Sequence, residues 1–280
     1  MKIIDGKLFS QKLLQSLKKE IKENDYTPRL DIFLIGESFA SRKYVEMKER
    51  QGKDIGIEVV IHKFADDAKD QTIISEIELL NKYKECNGIM VQLPIAKTFD
   101  VDRILNVINP AKDVDGLTAF TLGSIFTSKS DKIFLPATVS AINLLLHEYK
   151  VEISGKNVVI IGKSREVGIP LTGLFLNKGA TVSICSSKTK DIPKITREAD
   201  ILVSSTGVVG LVTEEYVKKG SVVIDVGYGV KDGKVSGDVD FEKVKGKASL
   251  ITPVPGGVGP VTVACLLQNT LISFKTFKNV

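Results

Sequence analysis

A short stretch near the middle of the chain restricts its fold more than any other. Four consecutive β-branched residues, Val158–Ile161, are typical of a strand buried on both faces of a parallel sheet. The run ends at Gly162, a second glycine follows at Gly168, and apolar residues at helical spacing occupy positions 171–176. A strand, a glycine-bounded turn and a helix N-terminus direct free backbone N–H groups and the helix dipole at one point, which favours an anion. We therefore predict an α/β fold with a dinucleotide pyrophosphate site in this turn.

Other interpretations of the turn are also available. Gly162-Lys-Ser164 is similar to the end of a phosphate-binding P-loop, but that motif requires a glycine where this chain has Asn157. The strict GxGxxG spacing of many dinucleotide sites is absent too. An ordinary connection between a strand and a helix therefore stays open as the alternative.

Length and charge limit the classes of protein that need to be considered. The chain has 280 residues, which favours two domains, and 43% of them are hydrophobic, enough for a sizeable core. The net charge of +5 is spread along the chain, and no basic cluster alternates with aromatic residues, so we expect no nucleic-acid partner. A mild positive charge does suit an anionic small molecule.

The cysteines and histidines argue against disulfides and metals. Cys86, Cys185 and Cys265 are far apart within apolar runs, which indicates reduced thiols in the core. The histidines are His62 and His147 alone, so we predict no metal site built on histidine. The N-terminus is too short and polar for a signal peptide, and no apolar run approaches bilayer length, so we expect a cytoplasmic protein without membrane contact.

Strand and helix patterns alternate in both halves of the chain, which indicates two α/β domains with parallel sheets. We place the domain junction in the irregular, polar segment 117–135. A Pro/Gly loop, 253–260, precedes an apolar helix that we expect to pack back onto the first domain. The predicted domains are 1–136 plus 261–280, and 137–260. The predicted strands are 30–35, 57–64, 88–93, 158–161, 181–185, 201–205, 221–226 and 250–252, and the main predicted helices are 5–22, 39–55, 72–83, 101–108, 138–149 and 261–277.

The residues after the second strand of the nucleotide-binding half favour NADP over NAD. The end of that strand contacts the adenosine ribose, where a carboxylate selects NAD and a cation or hydroxyl tolerates the 2′-phosphate of NADP. Here the strand ends in Cys185-Ser-Ser-Lys-Thr189, without a carboxylate, and Lys163 adds a cation nearby. Serine and lysine are also common in exposed loops, which is the alternative explanation.

One face of the helix that Ser38 is predicted to cap could carry chemistry. Ser41, Tyr44, Lys48 and Gln51 recur at spacings of three and four, so they share a face. Such a stripe is usually solvated. A lysine buried in a cleft, however, has a lowered pKa and can act as an acid or a base. The sequence leaves both interpretations open.

Two other places combine polar side chains with positions where ligands bind. Gln92 ends an apolar strand just before Pro94, at the edge of a parallel sheet. Its amide is either a ligand contact or a satisfied structural group. In Asp113-Val-Asp115, one carboxylate could accept the N–H donors of a heterocycle, or the pair could form an Asx-type turn.

Five motifs occur in a characteristic order along the chain. They are Tyr44-Val-Glu-Met-Lys48, Gln92-Leu-Pro94, Lys112-Asp-Val-Asp-Gly116, Gly162-Lys-Ser164 with Val167-Gly168, and Pro253-Val-Pro-Gly-Gly-Val-Gly-Pro260. So arranged, they closely resemble the methylenetetrahydrofolate dehydrogenase/cyclohydrolase family over essentially the whole chain. The resemblance implies a three-layer α/β catalytic domain, a Rossmann-type NADP domain, a C-terminal helix that returns to the first domain, and a homodimer.

The resemblance also implies an activity and roles for individual residues. The implied reaction is oxidation of 5,10-methylenetetrahydrofolate with NADP, then hydrolysis of the methenyl product to 10-formyltetrahydrofolate, with no metal. Lys48 resembles the catalytic lysine and Gln92 the partner that holds its amine. Tyr44 is similar to the tyrosine that stacks on the folate, and Asp115 to the carboxylate that binds the pterin. The other residues with an implied role are Leu93, Pro94, Pro255, Gly256 and Gly257 for the substrate, and Gly162, Lys163, Ser164, Ser187, Thr206, Gly207 and Tyr228 for NADP.

Some positions depart from the family pattern. Lys163 stands where an arginine is common, and lysine lacks the bidentate fork that suits a 2′-phosphate. Ser186 replaces a frequent histidine, and Tyr228 lies where Ile-Asn is common. There are three alternatives. A dehydrogenase without cyclohydrolase activity would be expected if Lys48, Gln92 or Asp115 were replaced, and all three are present. Another NAD(P)-dependent dehydrogenase of similar plan, such as an amino-acid or shikimate type, would leave the Pro/Gly loop and the Tyr44–Lys48 pair unexplained. A non-enzymatic nucleotide sensor would be favoured by degenerate catalytic positions, which the sequence does not have.

Overall fold

The computed structural model describes residues 1–36, 38–127 and 134–279. The strands, in chain order, are β1 (Lys2–Ile3), β2 (Arg29–Ile35), β3 (Glu58–Phe64), β4 (Gly88–Val91), β5 (Asn157–Ile161), β6 (Thr181–Cys185), β7 (Ile201–Ser204), β8 (Val222–Asp225), β9 (Gly229–Lys231), β10 (Lys234–Ser236) and β11 (Leu250–Ile251). The α-helices are α1 (Gly6–Glu23), α2 (Phe39–Ile55), α3 (Asp70–Lys82), α4 (Val101–Asn106), α5 (Ala119–Thr127), α6 (Ala137–Glu148), α7 (Gly168–Asn177), α8 (Ile192–Thr196), α9 (Phe241–Val244) and α10 (Val258–Lys278).

The chain divides into two compact units. Here the nucleotide unit is the one made mainly of Met1–Ser10 and Thr138–Thr262, and the lysine unit the one made mainly of Gln11–Ser124 and residues from 263 onward. The first ten residues join the nucleotide unit because β1 pairs in parallel with β11, with Lys2 opposite Leu250. The domain limits drawn from the sequence assign these ten residues to the other unit and remain a prediction.

The lysine unit is built on a three-stranded parallel sheet in the order β3-β2-β4. The central strand β2 is buried at every position after Arg29, which explains its nearly continuous apolar sequence. Helices α3 and α4 cover one side of the core, where Ile77 and Ile104 pack with Phe33 and Ile89. The α/β class with parallel sheets, predicted from the alternating pattern, is confirmed.

The C-terminal helix α10 is tied to the lysine unit by side chains that satisfy backbone carbonyls. Asn269 Nδ2 donates to the carbonyl of Val114 at 2.9 Å. Ser273 Oγ lies 2.6 Å from the carbonyl of Asn87 and 2.9 Å from that of Ala111. Such bonds matter because an unpaired buried carbonyl is costly. The prediction that this helix returns to the first half of the chain is confirmed.

A buried polar cluster fastens the amino-terminal part of the same sheet. Asp31 is fully buried and accepts hydrogen bonds from Arg29 Nη2 at 2.7 Å and from His62 Nε2 at 2.8 Å. The other ring nitrogen of His62 contacts Glu76 of α3. Burial alone would raise the pKa of Asp31, but the bonds from His62 and Arg29 outweigh it and hold that pKa below its ordinary value. Asp31 in turn raises the pKa of His62.

The nucleotide unit contains a six-stranded parallel sheet in the order β1-β11-β8-β7-β5-β6. Strand β5 lies between β6 and β7, so the strand order reverses beside it. In doubly wound sheets a dinucleotide binds at such a switch point, outside the carboxyl ends of the strands. An antiparallel hairpin, β9 with β10, follows β8.

The structure corrects several details of the sequence-based assignment. The segment 117–135 is not irregular throughout, because α5 occupies Ala119–Thr127; residues 128–133 of that segment lie outside the described residues. Gln92 lies just past the end of β4, although its backbone N–H still donates to the carbonyl of Phe33 at 2.9 Å. Helix α10 begins at Val258, inside the predicted Pro/Gly loop. Strand β1 and the β9–β10 hairpin were not predicted.

Three findings concern classes of site. All three cysteines are free and buried, as predicted. Among the described residues, no helix combines the length and apolar character needed to cross a membrane. Within those same ranges, no group of three or more His, Cys, Asp and Glu side chains is arranged to hold a metal ion.

Candidate functional site

The polar face of α2 is buried rather than solvated. Ser38 caps the helix, its Oγ accepting from the backbone N–H of Ser41 at 3.4 Å, and Gly56 ends the helix in the left-handed conformation at φ 95°. Ser41 is buried, Tyr44 is half-buried, and Lys48 is 8% exposed. The helix therefore presents a lysine to the interior of the lysine unit.

Lys48 is held by groups at the end of β4. Its Nζ donates to Oε1 of Gln92 at 2.7 Å and lies 3.6 Å from Sδ of Met90. Burial lowers the pKa of Lys48, and the negative charge of Asp115 partly opposes that shift. An amine of this kind gives up its proton more readily than a surface lysine, so it can take part in proton transfer.

The amide of Gln92 has a defined orientation. Its Nε2 donates to the carbonyl of Leu93 at 2.7 Å, which leaves Oε1 to accept from Lys48. The Leu93–Pro94 peptide bond is cis, with Leu93 half-buried and Pro94 exposed. Sequence reasoning left open whether Gln92 was structural, and the geometry shows an amide that orients an amine.

The two carboxylates of the Asp113–Asp115 turn have different surroundings. Asp113 is 1% exposed and accepts from the backbone N–H groups of Leu117 at 3.1 Å and Thr118 at 2.9 Å, and from Thr121 Oγ1 at 2.7 Å. Asp113 is therefore the carboxylate that forms the turn, and its hydrogen bonds fix the start of α5. Asp115 is half-buried and close enough to Lys48 to affect its pKa.

The glycine turn of the nucleotide unit is tight. Gly162 has φ 110°, and a Cβ on it would lie 2.4 Å from the carbonyl oxygen of Ser205. A Cβ on Gly168 would lie 1.9 Å from the carbonyl oxygen of Gly162. Between them, Ser164 Oγ accepts from the N–H of Val167 at 3.2 Å. Helix α7 begins at Gly168, so the positive end of its dipole faces the turn, which favours a pyrophosphate there. The N–H of Ile169 donates to the carbonyl of Ser164 at 3.1 Å and closes the turn.

The residues predicted to choose between NAD and NADP follow two paired strands. Ile161 lies opposite Cys185 in the β5–β6 pair, so the loops that continue from them leave the same edge of the sheet. Lys163 and Ser187 are both exposed. Thr189 Oγ1 accepts from the backbone N–H of Ser186 at 3.0 Å, which closes the turn that carries Ser187.

Two loops after β7 and β8 carry the remaining predicted cofactor residues. Thr206 is half-buried, while Gly207 and Tyr228 are exposed. The N–H of Thr206 donates to Asp238 Oδ2 at 2.6 Å, and Asp225 is a second buried carboxylate beside these loops. Sequence reasoning missed both aspartates. The sequence signal that could have identified them is a neighbouring glycine: Gly227 lies two positions after Asp225, and Gly237 lies one position before Asp238.

The Pro/Gly loop is supported by the N-terminal segment within the same unit. The N–H of Lys7 donates to the carbonyl of Gly256 at 2.9 Å, and a Cβ on Gly6 would lie 1.8 Å from the carbonyl oxygen of Gly257. Pro255 is exposed and follows a cis peptide bond, and Gly256 has φ 102°. The loop therefore presents Pro255 on a backbone path that only glycine follows easily.

These features define a dinucleotide-binding α/β enzyme. The nucleotide unit supplies a glycine turn at a helix N-terminus beside the switch point, and the lysine unit supplies a buried amine fixed by an amide. Residues 4–115 match the tetrahydrofolate dehydrogenase/cyclohydrolase catalytic domain, and residues 136–278 match the NAD(P)-binding domain of the same family. The chain belongs to the tetrahydrofolate dehydrogenase/cyclohydrolase family.

Individual relatives are similar over nearly their full lengths. The bifunctional protein FolD of Hydrogenobaculum sp. is 44% identical over 275 residues, which cover 98% of this chain and 99% of that protein. The crystal structure of the bifunctional enzyme FolD from Campylobacter jejuni matches with a TM-score of 0.94 and 39% identity, covering 99% of both chains. A Trypanosoma brucei FolD solved with NADP and an inhibitor matches with a TM-score of 0.94 and 35% identity, covering 99% of this chain and 98% of that one.

Proposed function

We propose that this protein oxidises 5,10-methylenetetrahydrofolate with NADP and hydrolyses the methenyl product to 10-formyltetrahydrofolate. The observation that carries the proposal is the buried Lys48 amine, 2.7 Å from Gln92 Oε1, in a chain of this family. Another dehydrogenase of similar plan is less well supported, because both halves of the chain match this family. A non-enzymatic sensor would not need the buried amine to be held for proton transfer.

The nucleotide unit would hold NADP, which accepts a hydride when bound. Lys163 offers a cation to the phosphates, and Lys163 and Ser164 offer backbone N–H groups, while Gly162 permits the tight turn because a Cβ there would lie 2.4 Å from the carbonyl oxygen of Ser205. Ser187 lies where an adenosine ribose is bound in such sheets. A lysine with no nearby carboxylate in the 186–189 turn suits a 2′-phosphate. The Trypanosoma brucei relative, solved with NADP, supports the same choice. The remaining residues of this proposed site are Thr206, Gly207 and Tyr228.

The lysine unit would bind the folate and move protons. Loss of hydride leaves a resonance-stabilised methenyl cation, so alignment of the substrate suffices for oxidation. Hydrolysis then adds water to the cationic carbon, and neutral Lys48 can take the proton that the water loses. The same amine, once protonated, can return a proton to the ring nitrogen as the carbon–nitrogen bond breaks. Gln92 orients this amine in both states.

Four further contacts complete the proposed substrate site. Tyr44, half-buried one turn before Lys48 on α2, would stack on the folate ring. Asp115 would accept N–H groups of the pterin. Leu93 and Pro94 would add apolar contact after β4. Pro255, Gly256 and Gly257 of the nucleotide unit are the last proposed substrate contacts.

The first experiment is a cofactor-reduction assay with purified protein. We expect NADPH absorbance to appear when NADP⁺ and 5,10-methylenetetrahydrofolate are both supplied, and to stay absent when either is left out. A matched series with NAD⁺ measures the cofactor preference. No reduction of either cofactor would disprove the dehydrogenase activity.

The second experiment separates the two activities. Lys48→Met should let the methenyl intermediate accumulate, because the group that moves the proton is gone while the shape of the side chain is nearly kept. Lys53→Met is the matched control, since Lys53 lies on the same helix, pairs with Glu49 at 2.8 Å, and is 63% exposed. Unchanged hydrolysis in Lys48→Met would remove Lys48 from the mechanism.

The proposal includes a homodimer in the cytoplasm, as the family resemblance implies. Light scattering on the eluting peak of a size-exclusion column should give twice the 30.5 kDa mass of one chain. A monomeric mass at all concentrations would contradict this part of the proposal and leave the enzymatic part standing.

A further inference from the structure

Two buried aspartates lie directly behind the loops that follow β7 and β8. Asp238 is 0% exposed and its Oδ2 accepts from Ser204 Oγ at 2.8 Å and from the N–H of Thr206 at 2.6 Å. Asp225 is 3% exposed and its Oδ1 accepts from the N–H groups of Gly227 at 2.9 Å and Asp238 at 3.0 Å. Asp238 therefore fixes the backbone of the loop after β7, and Asp225 fixes that of the loop after β8. The bond from the N–H of Asp238 to Asp225 links the two segments that carry the aspartates.

The glycines of this region are required for space rather than for backbone freedom. A Cβ on Gly227 would lie 2.1 Å from Asp238 Oδ1, and a Cβ on Gly237 would lie 2.0 Å from Asp225 Oδ2. Neither glycine has a positive φ, so another residue could adopt the backbone conformation. A larger residue is excluded at either position by space alone. The carboxylate of Asp238 packs against the backbone of Gly227, and the carboxylate of Asp225 packs against the backbone of Gly237. The two segments thus interlock through two aspartates and two glycines.

The arrangement is unfavourable for folding by itself. Asp238 Oδ1 is buried and has no hydrogen-bond partner among the described residues. Burial raises the pKa of Asp225 to about 6, against the effect of the N–H groups that it accepts, and the negative charge of Asp238 adds to the rise. Two buried carboxylates with an unsatisfied oxygen cost stability, and such departures from ordinary rules concentrate at functional sites.

The position of these loops indicates which half of a dinucleotide they face. The pyrophosphate belongs at the turn after β5, and the adenosine ribose at the end of β6. The β7 and β8 loops lie on the other side of the switch point, because the sheet order continues β5-β7-β8. They therefore face the half of the cofactor that carries the nicotinamide.

We propose that Asp225 and Asp238 are positioning residues for the nicotinamide half of the cofactor. They act through the backbone of Thr206–Gly207 and Gly227–Tyr228, which they hold rigid for contact with the nicotinamide nucleotide. The inference rests on the proposed function, in which these loops bind NADP. It adds two groups that do not touch the cofactor themselves.

The test uses the full-length protein and compares NADP⁺ with adenosine 2′,5′-bisphosphate, which has the adenosine half without the nicotinamide. For Asp238→Ala, calorimetric titration should show at least about a tenfold larger dissociation constant for NADP⁺, with adenosine 2′,5′-bisphosphate binding unchanged within about twofold. The dehydrogenase kcat should also fall at least about tenfold. Hydrolysis of added methenyltetrahydrofolate, which needs no cofactor, should stay within about twofold of wild type. Asp238→Asn, whose amide oxygen can still accept from Thr206, should recover most of the NADP⁺ affinity.

Control variants separate positioning from loss of stability. Asp240→Ala removes the side chain that caps α9, where Asp240 Oδ1 accepts from the N–H of Lys243, and should lower thermal stability without changing NADP⁺ affinity. If Asp238→Ala does not fold, Ser204→Ala removes one donor to the same carboxylate and should weaken NADP⁺ about threefold, with adenosine 2′,5′-bisphosphate unaffected.

The possible results are distinguishable. Equal weakening of both ligands, or unchanged NADP⁺ affinity in Asp238→Ala, would overturn the inference. A wild-type protein that binds no NADP⁺ would instead overturn the proposed function. Selective loss of NADP⁺ affinity, with hydrolysis kept, would support both.

Discussion

Burial lowers the pKa of Lys48, and Asp115 partly opposes that shift. Because the Lys48 amine also donates to Gln92, we expect two substitutions of that glutamine to move the pH dependence of hydrolysis in opposite directions. Lys48 Nζ is 2.7 Å from Gln92 Oε1 and 3.6 Å from Met90 Sδ, a much weaker acceptor. The neutral amine is the form that accepts a proton from water. Hydrolysis should therefore rise with pH as the Lys48 ammonium loses its proton.

Gln92→Met keeps the length of the side chain and removes the acceptor. A hydrogen bond to a charged group contributes about 1.5–3 kcal/mol, and about 1.4 kcal/mol changes an equilibrium tenfold, so the rising limb should move about one to two pH units lower. Gln92→Glu places a negative charge beside the amine. Two unit charges about 4 Å apart attract by about 4 kcal/mol at an effective dielectric constant of about 20, so the limb should move higher and activity at neutral pH should fall.

The assay is the initial rate of methenyltetrahydrofolate hydrolysis across the neutral and alkaline range, with the uncatalysed rate subtracted at each pH. Gln71→Glu is the matched control, because Gln71 is an exposed glutamine that accepts from Arg103 at 2.7 Å in the same unit. Its profile should match that of wild type. Shifts of both Gln92 variants in the same direction, or no shift in either, would show that Lys48 is not the group that titrates.

Three further predictions concern the fold and the cofactor. Gly168→Ala should lower NADP⁺ affinity at least about tenfold in a binding titration, because its Cβ would lie 1.9 Å from a carbonyl oxygen of the pyrophosphate turn; affinity equal to wild type would contradict the assignment of that turn. The pKa of His62 is raised by Asp31, so the stability that it contributes is complete below about pH 6.5 and is lost as the pH rises through the folded-state value. Urea unfolding should show His62→Gln less stable than wild type by about 2 kcal/mol in mild acid, with the difference shrinking in alkali; a constant difference would refute the linkage. Lys163→Arg should strengthen NADP⁺ over NAD⁺ several-fold in kcat/KM, since arginine offers a bidentate fork to a 2′-phosphate, and an unchanged ratio would place that phosphate elsewhere.

Most of the fold could be predicted because its signals are local. The apolar run Val158–Ile161 and the glycines that follow it identified β5, its turn and α7 from the sequence alone. Ser38 and Gly56 marked the two ends of α2 for the same reason, since capping depends on neighbours within one turn of helix. In the proposed site, Lys48 and Gln92 were identified as candidates, but the 2.7 Å contact between them required the packing of α2 on β4.

The features that were missed depend on partners distant in sequence or on a buried polar group. Helix α5 was not predicted because the buried carboxylate of Asp113, which precedes the segment 117–135, fixes the start of the helix. The segment itself contains no sequence pattern that indicates this hydrogen bonding. The contact between Asp225 and Asp238 is visible only when the hairpin between them brings the two residues together. Gln92 was placed in β4 because the apolar run continues to Leu93, whereas the strand pairing ends at Val91.

The pairing of β1 with β11 has a consequence for how the chain is made. Lys2 lies opposite Leu250, and Lys7 supports the backbone at Gly256, so these partners are joined almost 250 residues apart. During synthesis, residues 2–7 leave the ribosome long before residues 250–257 exist, and they must remain unpaired through nearly all of translation. The loop that carries Pro255 can thus take its supported form only after almost the whole polypeptide has been made. A chain that ended before residue 250 would lack both β11 and this loop, so its first residues would have no partner in the sheet.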